Sequence, residues 1–404
     1  MSHIDKLIVD LCPNGIEFRT LGDIAKLVRG NGMPKSDLTE NGIGAIHYGQ
    51  IYTRYGAWAR ATISFVSETT ATKLAKVDPG DIIITNTSEN IEDVGKAVAW
   101  LGDEQIVTGG HATVIKHAQN PKYISYWFQS RSFFDQKRTL ATGTKVIDVS
   151  ARQLKKVRIP VPPLEVQREI VRVLDKFTQL EAELEAELEA RRRQYEHYRS
   201  ALLSFPAGDA KSSTLGELAV RVSSGGTPHS GTPEYYESGN IPWLRSQDIN
   251  GSRVFHTGAM ITKEGLLNSS ARWIPKNCVI VAMYGATAAR VAINEIPLTT
   301  NQACCNIELD SSKADYRYVF FWIANQYETL KALGEGSQSN LNSRKIKSFP
   351  ILVPPLEEQR RIVSILDRFD SLVNDLSIGL PAELAARRKQ YEYYRDRLLT
   401  FEEK

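Results

Sequence analysis

Two stretches of the chain carry apolar residues in steps of three and four. The first follows Pro162-Pro163, with apolar positions at Ile170, Val173, Phe177, Leu180, Leu184, Leu188, Tyr195, Tyr198, Leu202 and Phe205. That spacing predicts a coiled-coil-like helix from Leu164 to about Ser204. Residues 180–188 repeat Glu-Ala-Glu-Leu, and two consecutive steps of four locally unwind a supercoil. About 40 residues at ~1.5 Å each make a rod of roughly 60 Å. The second stretch follows Pro354-Pro355 and runs toward Leu399, with a seam at Ile362, Ile365, Phe369, Leu372, Leu376, Leu380, Leu384, Tyr391, Tyr394 and Leu398. Gly379-Leu380-Pro381 lies inside it. Proline within a helix costs about 3 kcal/mol, so a kink or break is expected there. Matched seams predict that the two helices pair with each other, antiparallel.

Outside the helices the pattern changes to short β-branched runs bounded by turn residues. Asp81-Ile82-Ile83-Ile84-Thr85 follows Pro79-Gly80, and Cys278-Val279-Ile280-Val281-Ala282 follows Pro275-Lys276-Asn277. Both predict buried strands. Short helices are expected at residues 121–128 and 316–322. The two regions repeat one another: Thr20-Leu21-Gly22-Asp23 returns as Thr214-Leu215-Gly216-Glu217, and Val161-Pro162-Pro163-Leu164-Glu165 as Val353-Pro354-Pro355-Leu356-Glu357. Gly44-Ala45-Ile46-His47-Tyr48 matches Gly239-Asn240-Ile241-Pro242-Trp243. A period a little over 190 residues suits a duplicated domain-plus-helix unit. The fold class is α+β, with two mixed α/β domains, an antiparallel pair of long helices between them, and a pseudo-two-fold internal repeat. The expected parts are a first domain at 1–155, a central helical region at 156–208, a second domain at 209–348 and a C-terminal helical region at 349–404.

Composition adds bounds. The 404 residues are 42% hydrophobic and carry a net charge of +3. Residues 1–150 hold 16 basic and 16 acidic residues, so no polycation advertises nucleic-acid binding, and a DNA site would rest on local clustering. No apolar run approaches a membrane span, and no signal peptide is visible at the start. The four cysteines, Cys12, Cys278, Cys304 and Cys305, form no Cys-x-x-Cys pair and read as reduced core residues of a cytoplasmic protein.

Catalytic signatures are missing. There is no P-loop, no Gly-x-Gly-x-x-Gly, no metal-ligand histidine spacing and no Asn-Pro-Pro-aromatic site. A non-catalytic chain is expected. Recognition chemistry is better supplied. Tyr48, Gln50, Tyr52 and Arg54 interleave aromatics with donors in what reads as a loop, and Trp243, Arg245, Ser246 and Gln247 are the counterpart. Glutamine suits adenine edges and arginine suits guanine. Thr142, Thr144 and Lys145 in the first half, and Ser337, Gln338 and Asn340 in the second, occupy equivalent polar stretches. Arg344 and Lys345 suit phosphates.

The motifs together resemble the specificity subunits of type I restriction–modification systems, along essentially the whole chain. The most specific are the V-P-P-L-E-x-Q-R-x-I-V…L-D-[KR]-F helix starts at 161–177 and 353–369, and R-[RK]-Q-Y-E-x-Y-R at 192–199 and 388–395. The four-residue repeat is similar to the type IC branch. The resemblance implies two target-recognition domains, each reading part of a split double-stranded DNA site. It implies helices that set the spacer and dock two methyltransferase subunits, with Gln167, Arg168, Tyr195, Tyr198, Gln359, Arg360, Tyr391 and Tyr394 as docking candidates. Two motor–nuclease subunits would join. S-adenosylmethionine, ATP and Mg²⁺ would reside on those partners and no cofactor on this chain. The competing expectation is a non-DNA scaffold, two domains on a helical spacer.

Overall fold

The computed structural model describes residues 3–251, 253–335, 340–401 and 403. The chain divides into two compact units: Met1–Glu185 with Glu383–Lys404, and Ala186–Ala382.

In the first unit a five-stranded sheet runs in the order Ala25–Arg29, Ala112–His117, Ile82–Thr85, Ala97–Trp100, Trp58–Ala59. A four-stranded sheet runs Ser64–Val66, Ile43–Ile46, Ile106–Thr108, Ala75–Val77. The triplet Ile82-Ile83-Ile84 shows why its strand is apolar throughout. Ile83 joins Ile46, Val77 and Ile106 of the smaller sheet, while Ile82 and Ile84 face Tyr123, Ile124 and Trp127. Successive side chains point to opposite faces, and here both faces are covered.

The second unit has the same two strand orders. Its five-stranded sheet is Ala219–Ser224, Cys304–Leu309, Val279–Ala282, Val291–Asn294, Arg253–Val254, and its four-stranded sheet is Met260–Ile261, Ile241–Leu244, Leu298–Thr300, Trp273–Ile274. The duplication read from the sequence is therefore a duplication of topology. Cys278, Cys304 and Cys305 are buried free thiols, and burial raises the pKa of each well above the ordinary thiol value. They pack the sheet as apolar residues do. Among the described residues no helix is long and apolar enough to cross a membrane.

The first long helix is unbroken from Leu164 to Leu202, 39 residues. The second stretch is two helices, Leu356–Asn374 and Leu380–Leu399. The break lies just before the expected proline. Pro381 sits in the first turn of the following helix, where its missing N–H is no loss. Asp375 closes the intervening turn by accepting from Ser377 N and Oγ at 2.7 and 2.5 Å.

Both helix pairs are aromatic sandwiches. In the first unit Phe177 stacks on Tyr394 at 5.5 Å and lies 6.3 Å from Tyr391. Arg388 bridges Glu181, at 2.6 Å, and Glu185. Rising numbers on one helix meet falling numbers on the other, so this pair is antiparallel. In the second unit Tyr195 and Tyr198 stack on Phe369 at 6.2 and 5.4 Å. Each phenylalanine of the L-D-[KR]-F motif thus meets the two tyrosines of the other repeat's Q-Y-E-x-Y motif.

Candidate nucleic-acid interface

In the first unit the strand Ile43–Ile46 runs into a helix, Tyr48–Thr53, where a loop was expected. A local capping arrangement makes it one. His47 Nδ1 accepts from Gly49 N at 3.1 Å, and Gln50 Oε1 accepts from His47 N at 3.0 Å. Gln50 Nε2 donates to Ser64 Oγ at 2.6 Å. Both ends of the Gln50 amide are engaged within the protein, which fixes its orientation and leaves one N–H and one lone pair for a ligand. Tyr48, Gln50, Tyr52 and Arg54 line one open pocket of about 790 Å³ together with Lys35 and His47. Lys35 and His47 were missed from the sequence. The only signal was their proximity to Pro34 and to the end of the strand.

A chain of contacts joins this pocket to the other polar stretch. Tyr48 lies 4.9 Å from the His111 ring, and His111 Nδ1 is 3.0 Å from the Thr87 hydroxyl. Thr87–Ser88 pairs with Ile147–Asp148. That pairing carries the tip with exposed Thr142, Thr144 and Lys145, closed by Thr142–Asp148 backbone bonds of 2.9 and 2.8 Å. Gly143 has a positive φ of 102° at this tip, a conformation in which a side chain would be strained.

Burial, then Lys35 and His111, hold the His47 pKa below the ordinary imidazole value. Burial does the same to His117, against the nearby Asp81 carboxylate. Both rings therefore take up a proton less readily in the folded chain than in the unfolded one. Groups of this kind contribute stability that is complete above the unfolded value, 6.5, and is lost as pH falls below it. The first unit is expected to loosen as pH falls below 6.5, read by smaller protection factors at Ile82–Thr85 once the slower intrinsic exchange at acid pH is divided out. His47→Gln, which cannot take up the proton, should shrink that acid sensitivity; an unchanged acid profile would refute the assignment.

In the second unit strand register corrects the sequence match. Ile46 pairs with Thr108, and Leu244 with the equivalent Thr300. Ile46 therefore corresponds to Leu244, three places from the expected match to Ile241, so His47 corresponds to Arg245 and Gln50 to Asp248. Trp243, expected among the DNA contacts, is 6% exposed, and its Nε1–H donates to Gly226 O at 3.0 Å, so it packs the core under the site. Arg245 caps the turn Ser246–Asp248 and forms a two-point pair with Asp248. Ser246 is held at both backbone groups, donating to Asn301 Oδ1 at 3.3 Å and accepting from the Thr287 hydroxyl at 2.9 Å. Gln247 is exposed. Asn340 closes a bridge with Glu335 through two 2.9 Å backbone bonds. Ser337 and Gln338 lie outside the described residues. Arg344 is exposed, whereas Lys345 is not a free phosphate contact: its ammonium holds Leu333 O at 2.7 Å and Glu335 Oε1 at 2.5 Å.

One fold with two different rims on the same strand ends is the geometry these units share. The family described as type I restriction modification DNA specificity domain matches residues 13–190 and again 208–386. The chain belongs to that family. The specificity subunit of Escherichia coli type I restriction enzyme EcoR124I/EcoR124II is 39% identical over 295 residues, covering 69% of this chain and 70% of that protein. A putative type I specificity subunit of Haemophilus influenzae is 30% identical over 321 residues, 75% and 76% of the two chains. Among solved structures, a chain of a type I restriction–modification assembly has a TM-score of 0.67 at 17% identity, covering 96% of this chain and 98% of its own. The specificity subunit of M. genitalium has 0.56 at 15%, covering 96% and 97%. These last two likenesses concern the fold.

The family's helix-start motif has a visible structural task here. Gln167 and Gln359 are both fully buried. Gln167 Oε1 accepts from Asn120 N at 2.9 Å, and its Nε2 donates to Pro162 O at 2.7 Å. Gln359 repeats this with Asp315 N at 2.9 Å and Pro354 O at 2.8 Å. Asn120 and Asp315 in turn cap the short helices Pro121–Trp127 and Tyr316–Asn325. Lys122 pairs with Asp175 at 2.6 Å, and Arg317 with Asp367. The glutamines are therefore clamps between domain and helix and face no outside partner. Tyr195 is likewise buried, against Phe369, and Tyr391 is half-buried against Phe177. Tyr198 and Tyr394 keep an exposed edge, and Arg168 and Arg360 are exposed on the helices. No cluster of potential metal ligands occurs among the described residues.

Proposed function

We propose that this chain supplies the sequence reading of a type I restriction–modification complex, with each unit reading one part of a bipartite DNA site. The observation that supports this most is the pair of topologically identical modules whose equivalent strand ends carry different chemistry, His47/Gln50 in one and Arg245/Asp248 in the other. A shared framework with different rims suits two different half-sites. The helices set the spacer and dock two methyltransferase subunits, with Arg168, Arg360 and the exposed edges of Tyr198 and Tyr394 as contacts. Two motor–nuclease subunits complete the cytoplasmic assembly. Chemistry resides on the partners, which hold S-adenosylmethionine, ATP and Mg²⁺, and this chain is the non-catalytic member. The repeat within residues 180–188 fits the type IC branch.

Inserting one Glu-Ala-Glu-Leu unit after Leu188 lengthens the helix by about 6 Å. Base pairs rise ~3.4 Å each. Sequencing of methylated sites should show a spacer longer by one or two base pairs and both half-sites unchanged; an altered half-site would count against the reading.

A further inference from the structure

The Arg245–Asp248 pair has a geometry that general stability does not explain. Arg245 Nε donates to Asp248 Oδ2 at 3.1 Å and Nη2 donates to Oδ1 at 3.2 Å. Both side chains are partly exposed, 36% and 26%, and an ion pair so open to water contributes little to folding. Its main physical effect is orientation. The carboxylate occupies the side edge of the guanidinium, taking the Nε hydrogen and one Nη2 hydrogen. The end edge, with one Nη1 hydrogen and the second Nη2 hydrogen side by side, is left as a planar fork. The turn beneath it is fixed from two other segments, by Thr287 and Asn301, and Asn301 N also donates to Leu244 O at 2.9 Å. A rigid base and a locked guanidinium suit one ligand in particular: the O6/N7 acceptor pair that guanine presents in the major groove. A phosphate can also take a planar fork in two-point fashion, but it is the same at every sequence, so loss of one fixed base pair separates the two ligands. Adenine offers a donor where guanine offers O6, and a fork of donors alone does not fit it.

We propose that Arg245 reads a guanine in the half-site served by residues 186–382, and that Asp248 is the positioning residue that aims its guanidinium. The proposal rests on the chain being a DNA specificity subunit. Its decisive experiment uses the full chain assembled with its methyltransferase partner, mapping methylated genomic sites and measuring binding to the mapped site. Arg245→Ala should weaken binding to that site by about 10- to 100-fold. It should also make a single formerly fixed guanine degenerate, with the other half-site untouched. Arg245→Lys keeps the charge but lacks the fork, and should fail to restore the guanine requirement. Asp248→Asn should relax the same position to a smaller extent. Co-purification with the methyltransferase reports that each variant is folded. A uniform loss across sequences with the motif intact, or full rescue by lysine, would assign Arg245 to phosphate and overturn the proposal. A wild-type motif with no fixed G·C pair in one half would overturn it as well, while leaving the specificity reading standing. Absence of any bipartite motif would instead remove that reading, and the proposal with it.

Discussion

Gln359→Leu is expected to destabilise residues 186–382 by about 2–4 kcal/mol, judged from the cost of stranding buried polar groups. The leucine is similar in volume, so packing changes little. What is lost is satisfaction. Asp315 N loses its 2.9 Å acceptor and Pro354 O its 2.8 Å donor, both beside a side chain with no exposure. The amide that joins them is fully buried, and a buried donor or acceptor left unpaired is costly. Urea unfolding of the full chain measures the loss, and hydrogen exchange across Tyr316–Asn325 localises it. Gln167→Leu should do the same to Pro121–Trp127. A loss below about 1 kcal/mol, the size of an exposed hydrogen bond, would mean that the clamp is not a clamp.

Gly225→Ala should cost about 3 kcal/mol, at the upper end of overpacking. An added Cβ would collide with the Thr300 carbonyl, and backbone on both sides leaves no flexible side chain to yield. Thr300 precedes Asn301, which holds the Arg245 turn, so the damage reaches the reading rim as well as the sheet. Gly30 in the first unit is packed in the same way against the Gly109 carbonyl, and Gly30→Ala should be comparably destabilising. Gly56, with open space around its Cα, is the control, expected to stay within about 0.5 kcal/mol of the parent. Thermal melting of the three variants separates these outcomes.

The framework was legible because its causes are local or periodic. The Ile82–Thr85 and Val279–Ala282 strands announce themselves by β-branched runs, and the Leu164–Leu202 helix by its seam. The rims were less legible for identifiable reasons. The match of Tyr48 to Trp243 followed neighbouring glycines, but equivalence is fixed by pairing with Thr108 and Thr300, which lie some 60 residues downstream. The slip is of three residues, but Ile241 and Leu244 are both apolar and buried, so hydrophobicity at the position matched to Ile46 gave no warning. The Tyr48–Thr53 helix depends on a capping arrangement that includes a bond to Ser64, again a distant partner. Gln167 and Gln359 sit among polar residues on their helices, and the motif does not say which of those polar groups turns inward. Lys345 looked available because its acceptor, Leu333 O, is a backbone group.

The first compact unit is not contiguous in sequence, since Glu383–Lys404 belongs with Met1–Glu185. Leu399 lies in one core cluster with Trp127, Ile170 and Leu174. During translation at roughly 5–20 residues per second, that core waits about 10–40 s after Glu185 emerges for its missing helix. The contiguous unit can finish first. Nascent chains therefore hold an apolar groove open over Phe177 for much of their synthesis, and an inserted stop or a stall before Glu383 leaves it a target for chaperones and proteases.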